Sequence, residues 1–526
     1  MKRDHFEDLK EVVACLMPNE VRTARKFITA FEGNATKGKN KSLLLFELIL
    51  ADPDIIIEQA AKRIGPNNKK NALNKLASRL RNKLVESLIL SVNLDHEENN
   101  SNRTKIKFEI RKQLMYAGIC SGRGLKSQAV VTYEGVIDKA RKYEFYTELL
   151  EALELKRGII GLRRGYQEYQ NYSKDILFYK KCQEALSSSN AWYFKHFTMV
   201  DRRGLKKEDI TILNGAIKKI EIWYTDTKSA NVGYLLYTLT MEYLLALEEY
   251  KKSCEIGKKL IGLVTNNIWL FNRIMIGGSY ANLADCYIFI FDFHSSIRNS
   301  NWALGIFNPL SIEAHVVVKE TLFRDFYYLG ELTLAISIAT EIAKNTNPNN
   351  SPFHHAKRVY LKACAHFAQG EFKEALQNLH TTKEIENDKE GWNIGKRLLT
   401  ILIYLELGDW DAAETGITNL RMHIQRLKPK GTVRQRDTII LKVLQKLVFA
   451  SFDYPQVLDK HPDLFELLDR TDRDYRWQVK SPEMVVFHHW FQDKAQGIPY
   501  QFRVPEPLMK KFGAKSPGRD LDFPVK

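Results

Sequence analysis

Apolar and polar positions along this chain recur with the period of a helix, not the two-residue period of a strand. Val130, Val131, Tyr133, Val136, Ile137 and Ala140 form one such stripe. Leu73, Leu76, Ala77, Leu80, Leu84 and Leu88 form another at i, i+3, i+4 spacing. In the second half the stripes are punctuated by a hook: a turn residue, an acid, an aromatic or leucine, two free positions, a small residue and usually an aliphatic. Its copies begin at Glu248, Phe291, Gly330, Gly370, Gly408 and Phe452, which lie 43, 39, 40, 38 and 44 residues apart. Glycine at the first position suits a left-handed residue ending a helix, and the acid behind it meets the positive start of the next helix. Ala335, Ala375 and Ala413, with Ser253 and Ser296 in the same column, allow the two helices of a hairpin to approach closely. A hairpin of this length cannot bury its apolar face alone, so stacking of hairpins is expected.

Two copies carry a family resemblance. Phe367-Ala368-Gln369-Gly370-Glu371-Phe372-Lys373-Glu374-Ala375-Leu376 and Tyr404-Leu405-Glu406-Leu407-Gly408-Asp409-Trp410-Asp411-Ala412-Ala413 resemble the tetratricopeptide helix-turn-helix core. The other copies depart from it. Those at 248, 291 and 452 lack the glycine, Pro455 lies inside the last hook, and the spacing exceeds that family's usual ~34, which implies longer helices. The resemblance implies an all-α fold: a right-handed α-α superhelix (a TPR-like solenoid) with an N-terminal helical domain. Its concave surface would be lined by the first helix of each repeat, and that register places Asn282, Asp285, Glu320, Arg324, Lys357 and Tyr360 on a groove for a peptide or protein segment.

The organisation read from the chain is a helical head over 1–100, a helical array without a recognisable hook over 101–235, TPR-like repeats over 236–470, and a C-terminal helix with a proline-punctuated, extended tail over 471–526. The polar run Asp95 to Asn102 separates head from array. In the head, Asp54 is expected to cap a helix running from Ile55 to Ile64 and stopped by Gly65-Pro66. The stretch Ser78-Arg79-Leu80-Arg81-Asn82-Lys83-Leu84 is similar to the recognition helix of winged-helix response regulators. No strand-turn-strand wing follows, because Val85 to Leu90 continues the helix. The order Met17-Pro18-Asn19-Glu20, Leu44-Leu45-Phe46 and Asn71-Ala72-Leu73 more closely resembles the start of a functionally unassigned family of bacterial helical-repeat proteins.

Charge adds a second candidate partner. Among the 526 residues, 79 Lys+Arg against 63 Asp+Glu give a formal +16, a bias toward acidic partners. Lys69, Lys70, Lys75, Arg79 and Lys83 make the helix at 69–83 basic. A second stretch from Arg421 to Arg436 has no acid, so a nucleic-acid-associated regulator is the alternative to a protein-binding scaffold. The oligomeric state is not legible. The charged start Met1 to Asp8 has no apolar signal core, and Arg273 and Asp285 break the most hydrophobic run, so a cytoplasmic chain without a membrane span is expected. The six cysteines never form a C-x-x-C pair and read as reduced core residues.

Reactive chemistry is not apparent, and no catalytic, cofactor-binding or metal-ligating set is expected. Gly118-Ile119-Cys120-Ser121-Gly122-Arg123-Gly124-Leu125-Lys126-Ser127 fails as a phosphate loop because Leu125 separates glycine from lysine. The adjacent pairs His354-His355 and His488-His489 point about 100° apart on a helix and do not share an i, i+4 metal face. His366 reads as a core or groove histidine. The expectation is therefore a non-enzymatic protein.

Overall fold

The computed structural model describes residues 4–30, 40–65, 70–91, 102–199, 207–307, 311–344, 352–381, 384, 388, 391–428 and 433–513. Among them every regular element is a helix, and no helix is long and apolar enough to cross a membrane. The chain forms two compact units, Met1–Asn100 and Ser101–Lys526.

The first unit holds α1 (His5–Ala14), α2 (Pro18–Ala30), α3 (Lys41–Ala51), α4 (Ile57–Ile64) and α5 (Lys70–Ser91). Leu73, Ala77, Leu80 and Leu84 of α5 are buried and pack in one cluster with Phe6, Leu9, Ile28, Phe46 and Ile49. The expected cap is corrected here. The helix begins at Ile57 behind Ile56, which makes no side-chain cap, and Asp54 lies before it. Ile55 and Ile57 are both buried while Ile56 is 51% exposed. That alternation belongs to an extended lead-in, and burying both isoleucines outweighs one aspartate cap worth about 1 kcal/mol.

The second unit is a run of antiparallel neighbours: α6 (Asn102–Gly122), α7 (Lys126–Lys142), α8 (Tyr146–Arg164), α9 (Tyr166–Asn171), α10 (Ser173–Met199), α11 (Lys207–Thr227), α12 (Ala230–Ala246), α13 (Tyr250–Asn266), α14 (Arg273–Phe289), α15 (Phe293–Ile306), α16 (Ile312–Tyr328), α17 (Leu332–Lys344), α18 (Pro352–Ala368), α19 (Phe372–His380), α20 (Trp392–Leu407), α21 (Trp410–Leu427), α22 (Gln435–Phe449), α23 (Tyr454–Lys460), α24 (Pro462–Leu468), α25 (Phe487–Ala495) and α26 (Glu506–Phe512). From α10 to α22 each helix packs on the next. The even-numbered helices also touch across the repeat, α6 on α8, α10 on α12, α14 on α16 and α18 on α20, forming an inner layer. This is the α-α solenoid expected from the repeat.

All six hook positions behave alike. Glu248, Phe291, Gly330, Gly370, Gly408 and Phe452 all have φ between 59° and 81°. In five of the six hooks, the N–H after the turn residue donates five residues back: Glu249 to Leu244, Asp292 to Tyr287, Glu331 to Phe326, Glu371 to His366 and Asp409 to Tyr404. The acids divide by length. Asp292, Asp409 and Asp453 reach the N–H three residues on, whereas the longer Glu249 and Glu371 form no side-chain cap and leave only their charge near the helix start. Ser253, Ser296, Ala335, Ala375 and Ala413 are fully buried between helices. The same turn recurs earlier, at Gly124 and Glu144, where Leu125 donates to Cys120 and Phe145 to Ala140. The glycine-rich stretch 118–127 is therefore the end of α6 and its turn into α7.

Beyond α24 the chain turns back and runs through the inner layer. The segment 476–486 is not helical. Trp477, Met484, Val486, Phe487, Trp490 and Phe491 are all 0–1% exposed. Gly395 of α20 shows how closely this tail lies: a Cβ there would come 2.8 Å from the Pro482 Cβ and 2.9 Å from its carbonyl oxygen. Five cysteines are buried and free, but Cys15, expected in a core, is exposed at the end of α1.

Candidate functional site

The six residues placed on a groove by sequence lie on the inner layer: Asn282 and Asp285 on α14, Glu320 and Arg324 on α16, Lys357 and Tyr360 on α18. At Asp285, Arg324 and Tyr360 that layer is not open, because the chain's own tail covers it. Asp285 accepts Lys480 at 2.6 Å. Arg324, 5% exposed, donates to the Val479 carbonyl at 3.3 Å, and Tyr328 donates to the same oxygen at 2.7 Å. Tyr360, 3% exposed, donates to the Pro482 carbonyl. Glu320 and Lys357 pair with each other at 2.7 Å, with Arg358 beside them at 3.3 Å. Burial raises the Glu320 carboxyl, but these two cations outweigh it and leave its pKa below the usual value. Asn282 is half-buried.

Outside those residues the tail is held at both ends by ion pairs. Arg476 grips Glu248 with two bonds of 2.7 and 2.9 Å. Arg436 of α22 grips Glu483 with bonds of 2.6 and 2.8 Å, and spends its other N–H groups on the carbonyls of Leu468 and Tyr475 and on Nδ1 of His488. Between them Trp477 stacks on Phe291, meets Tyr328 edge-on, and donates its Nε1–H to the Glu483 carbonyl at 2.8 Å. These contacts join residues up to 228 positions apart, so no local pattern announces them.

Under the tail, Glu242 of α12, Asp285 of α14 and Asp325 of α16 lie within electrostatic reach of Lys480, which pairs with Asp285. Burial raises the pKa of Glu242, and of Asp325 well above the usual carboxylate range; Asp285 nearby adds to both. Asp325 Oδ2 accepts Ser296 Oγ at 2.8 Å, while Oδ1 is buried without a hydrogen-bond partner. A carboxyl whose folded pKa is raised stabilises fully below the unfolded value near 3.8, and that contribution is lost as pH rises through the folded value. Asp325→Asn is thus expected to raise stability at neutral pH by on the order of 1 kcal/mol. In urea titrations its advantage should shrink as pH falls toward the unfolded value. A pH-independent difference would contradict this.

Asp469, His488 and His489 bring three potential metal-ligating atoms within 4.8 Å of one another. Sequence reasoning saw the histidine pair but not the aspartate at the end of α24. The hydrogen bonds argue against a cation here. Arg436 can only donate, so His488 Nδ1 must accept, and Nε2 then carries the proton toward Asp469 at 3.3 Å. That nitrogen has no lone pair for a metal. Burial, then the neighbouring His488 and Arg503, push His489 down to about 3, so the pair stays neutral at ordinary pH.

The inner layer opens at its other end. Residues of α6, the start of α8, α10 and the start of α14 line a cleft of about 800 Å³. Arg103, Lys107 and Arg111 of α6 reach it, with Lys180 of α10 opposite; Thr147, Gln183, Ser187, Ser188 and Asn190 supply neutral polar groups. In the first unit, Lys70 pairs with Glu58 at 3.0 Å, Lys75 and Arg79 are exposed and Lys83 is half-buried. Lys69 lies outside the described residues, as do 429–432 of the second basic stretch.

No family model matches the chain. No curated protein matches it either. Among solved structures, it is similar to the Signal Transduction ATPase with Numerous Domains (STAND) protein with a tetratricopeptide repeat sensor from Pyrococcus horikoshii, at 11% identity with a TM-score of 0.40. The match covers 78% of this chain and 64% of that one, so the chain spans less than two thirds of that protein's length.

Proposed function

We propose that the protein is a non-enzymatic interaction scaffold that docks a segment of a partner protein on the inner layer of its helical repeats, at the open cleft of α6, α8 and α10. One observation carries this reading. Between α12 and α22 the same layer holds the non-helical segment 476–486, and inner-layer side chains bond its main-chain carbonyls. A repeat layer that seats its own chain in this way has the geometry to seat another where it is uncovered.

Filling the cleft tests it. Ser187 is exposed on its wall, so Ser187→Trp adds bulk without disturbing the core. Affinity purification of the full chain with quantitative mass spectrometry should find partners retained by the parent protein and lost by this variant. The same set retained by both would sink the cleft as the docking surface.

A further inference from the structure

The charges around the cleft are unevenly matched. Glu148 is nearly buried, and its side chain takes Arg111 at 2.9 Å, with Lys107 at 3.9 Å. Glu144 is committed elsewhere. Its oxygens accept from Ser229 Oγ at 2.7 Å, Ala230 N at 2.7 Å, and Asn231 N and Nδ2 at 3.2 and 2.6 Å, which ties it to the start of α12. Glu184 is the other lining carboxylate, and Lys180 also reaches Glu154 at 3.5 Å. Arg103 stands apart. Its guanidinium donates at 3.4 and 3.2 Å to the neutral carbonyl of Tyr143 and lies 4.8 Å over the Phe145 ring. Lys107 shares that ring at 5.4 Å. Burial lowers the Arg103 pKa despite Glu144 and Glu148, the mark of a cation whose counter-charge is incomplete.

We infer that the cleft takes an oxyanion carried by the docked segment, a carboxylate or a phosphate, with Arg103 as its anchor and Lys107 and Arg111 alongside. Three physical features support this. The three cations sit at i, i+4 and i+8 on α6, which places them on one helix face. Arg103 is already held by the ring and the carbonyl, so little side-chain freedom remains to be lost when it binds. An oxyanion would supply charge-assisted hydrogen bonds where Arg103 has a neutral acceptor, in a half-buried site where such bonds are stronger than in open water. The hydroxyl and amide groups on α10 can donate to the remaining oxygens or to the segment's main chain.

This inference rests on the docking reading, and the test separates the two. Fluorescence anisotropy on the full chain would use three labelled dodecapeptides: one glutamate-rich, one with phosphoserine in place of the glutamates, and one with glutamine throughout. A single-stranded oligonucleotide is the fourth probe. The glutamate or phosphoserine peptide should bind, with an affinity that falls as salt rises. Arg103→Gln should weaken it about tenfold or more, and Lys107→Gln should weaken it less. Lys252→Gln, an exposed cation on α13, should leave it unchanged. Far-UV dichroism checks that each variant folds, and Lys107→Gln still reports on the cleft if Arg103→Gln does not fold. Preference between the two anionic peptides identifies the oxyanion.

Equal binding of the glutamine peptide would overturn the oxyanion inference while leaving docking in place. Equal losses in Arg103→Gln and Lys252→Gln would also overturn it, because the attraction would then be diffuse. Binding of the oligonucleotide alone, sensitive to Arg103→Gln, would replace a peptide partner with a nucleic acid. If no probe bound, the inference would fail, and the Ser187→Trp experiment would decide independently whether docking fails with it.

Discussion

Replacing Glu483 with alanine is expected to cost about 3–5 kcal/mol of stability, the usual penalty for stranding one member of a buried ion pair. Arg436 is 0% exposed, and two of its five N–H donors point at this carboxylate. Without Glu483 the guanidinium stays buried with carbonyls and a neutral imidazole as its nearest partners. Burial raises the Glu483 carboxyl, but Arg436 and Arg434 overcome that and hold its pKa below the ordinary carboxylate value. A depressed folded pKa stabilises above the unfolded value near 4.5 and stops doing so as pH falls through the folded one. The pair should hold at neutral pH and fail only in acid. Urea unfolding followed by tryptophan fluorescence measures the loss, and the double variant Arg436→Met with Glu483→Leu should recover most of it. A loss below about 1 kcal/mol would place the pair in a wetter setting.

Trp477→Ala is expected to have a similar effect, about 3–5 kcal/mol, for a different reason. The indole is 1% exposed and packs against Phe291, Tyr328 and Phe502, side chains from two helix pairs and from the tail itself. Removing it leaves a cavity that the helices cannot close without breaking the Arg476 and Arg436 anchors on either side. The same urea titration reads the effect. A loss near that of an exposed tryptophan would mean that the tail rests on the layer without being part of its core.

How much was legible depends on the distance over which each feature is encoded. The hook is local: a turn residue, an acid and a small residue within six positions, each with its own physical job. In the last of the six copies the turn comes one residue early, with Ser451 also left-handed and the Phe452 N–H donating to Leu447; the other five form the same turn. At Gly124 and Glu144 the backbone does the same without the acid at the second position, where Leu125 and Phe145 stand, so the pattern hid two turns that the hydrogen bonds reveal. Register also carried: Asp285, Arg324 and Tyr360 lie on the inner layer. What covers them did not carry, because Arg476 to Glu248 and Lys480 to Asp285 join remote parts of the chain. Prolines at 499, 505 and 507 predict an extended tail, but Pro505 and Pro507 stand at the start of α26, where proline is tolerated in a helix's first turn. They say nothing of the tail's course. The cleft was illegible for the same reason. Its cations come from α6 and α10, its buried acid from α8, and only folding brings them together.

Amide hydrogen exchange on the intact chain tests the central claim, that the tail is the built-in filling of the repeat layer between α12 and α22. The peptide covering residues 484–491 contains Val486 N–H bonded to Tyr500 Oη at 3.0 Å and Phe487 N–H bonded to Glu483 at 3.1 Å. It should exchange as slowly as the cores of α16 and α20, through the same large opening. Exchange of that peptide within seconds, while α16 and α20 stay protected, would show an open groove and contradict the account.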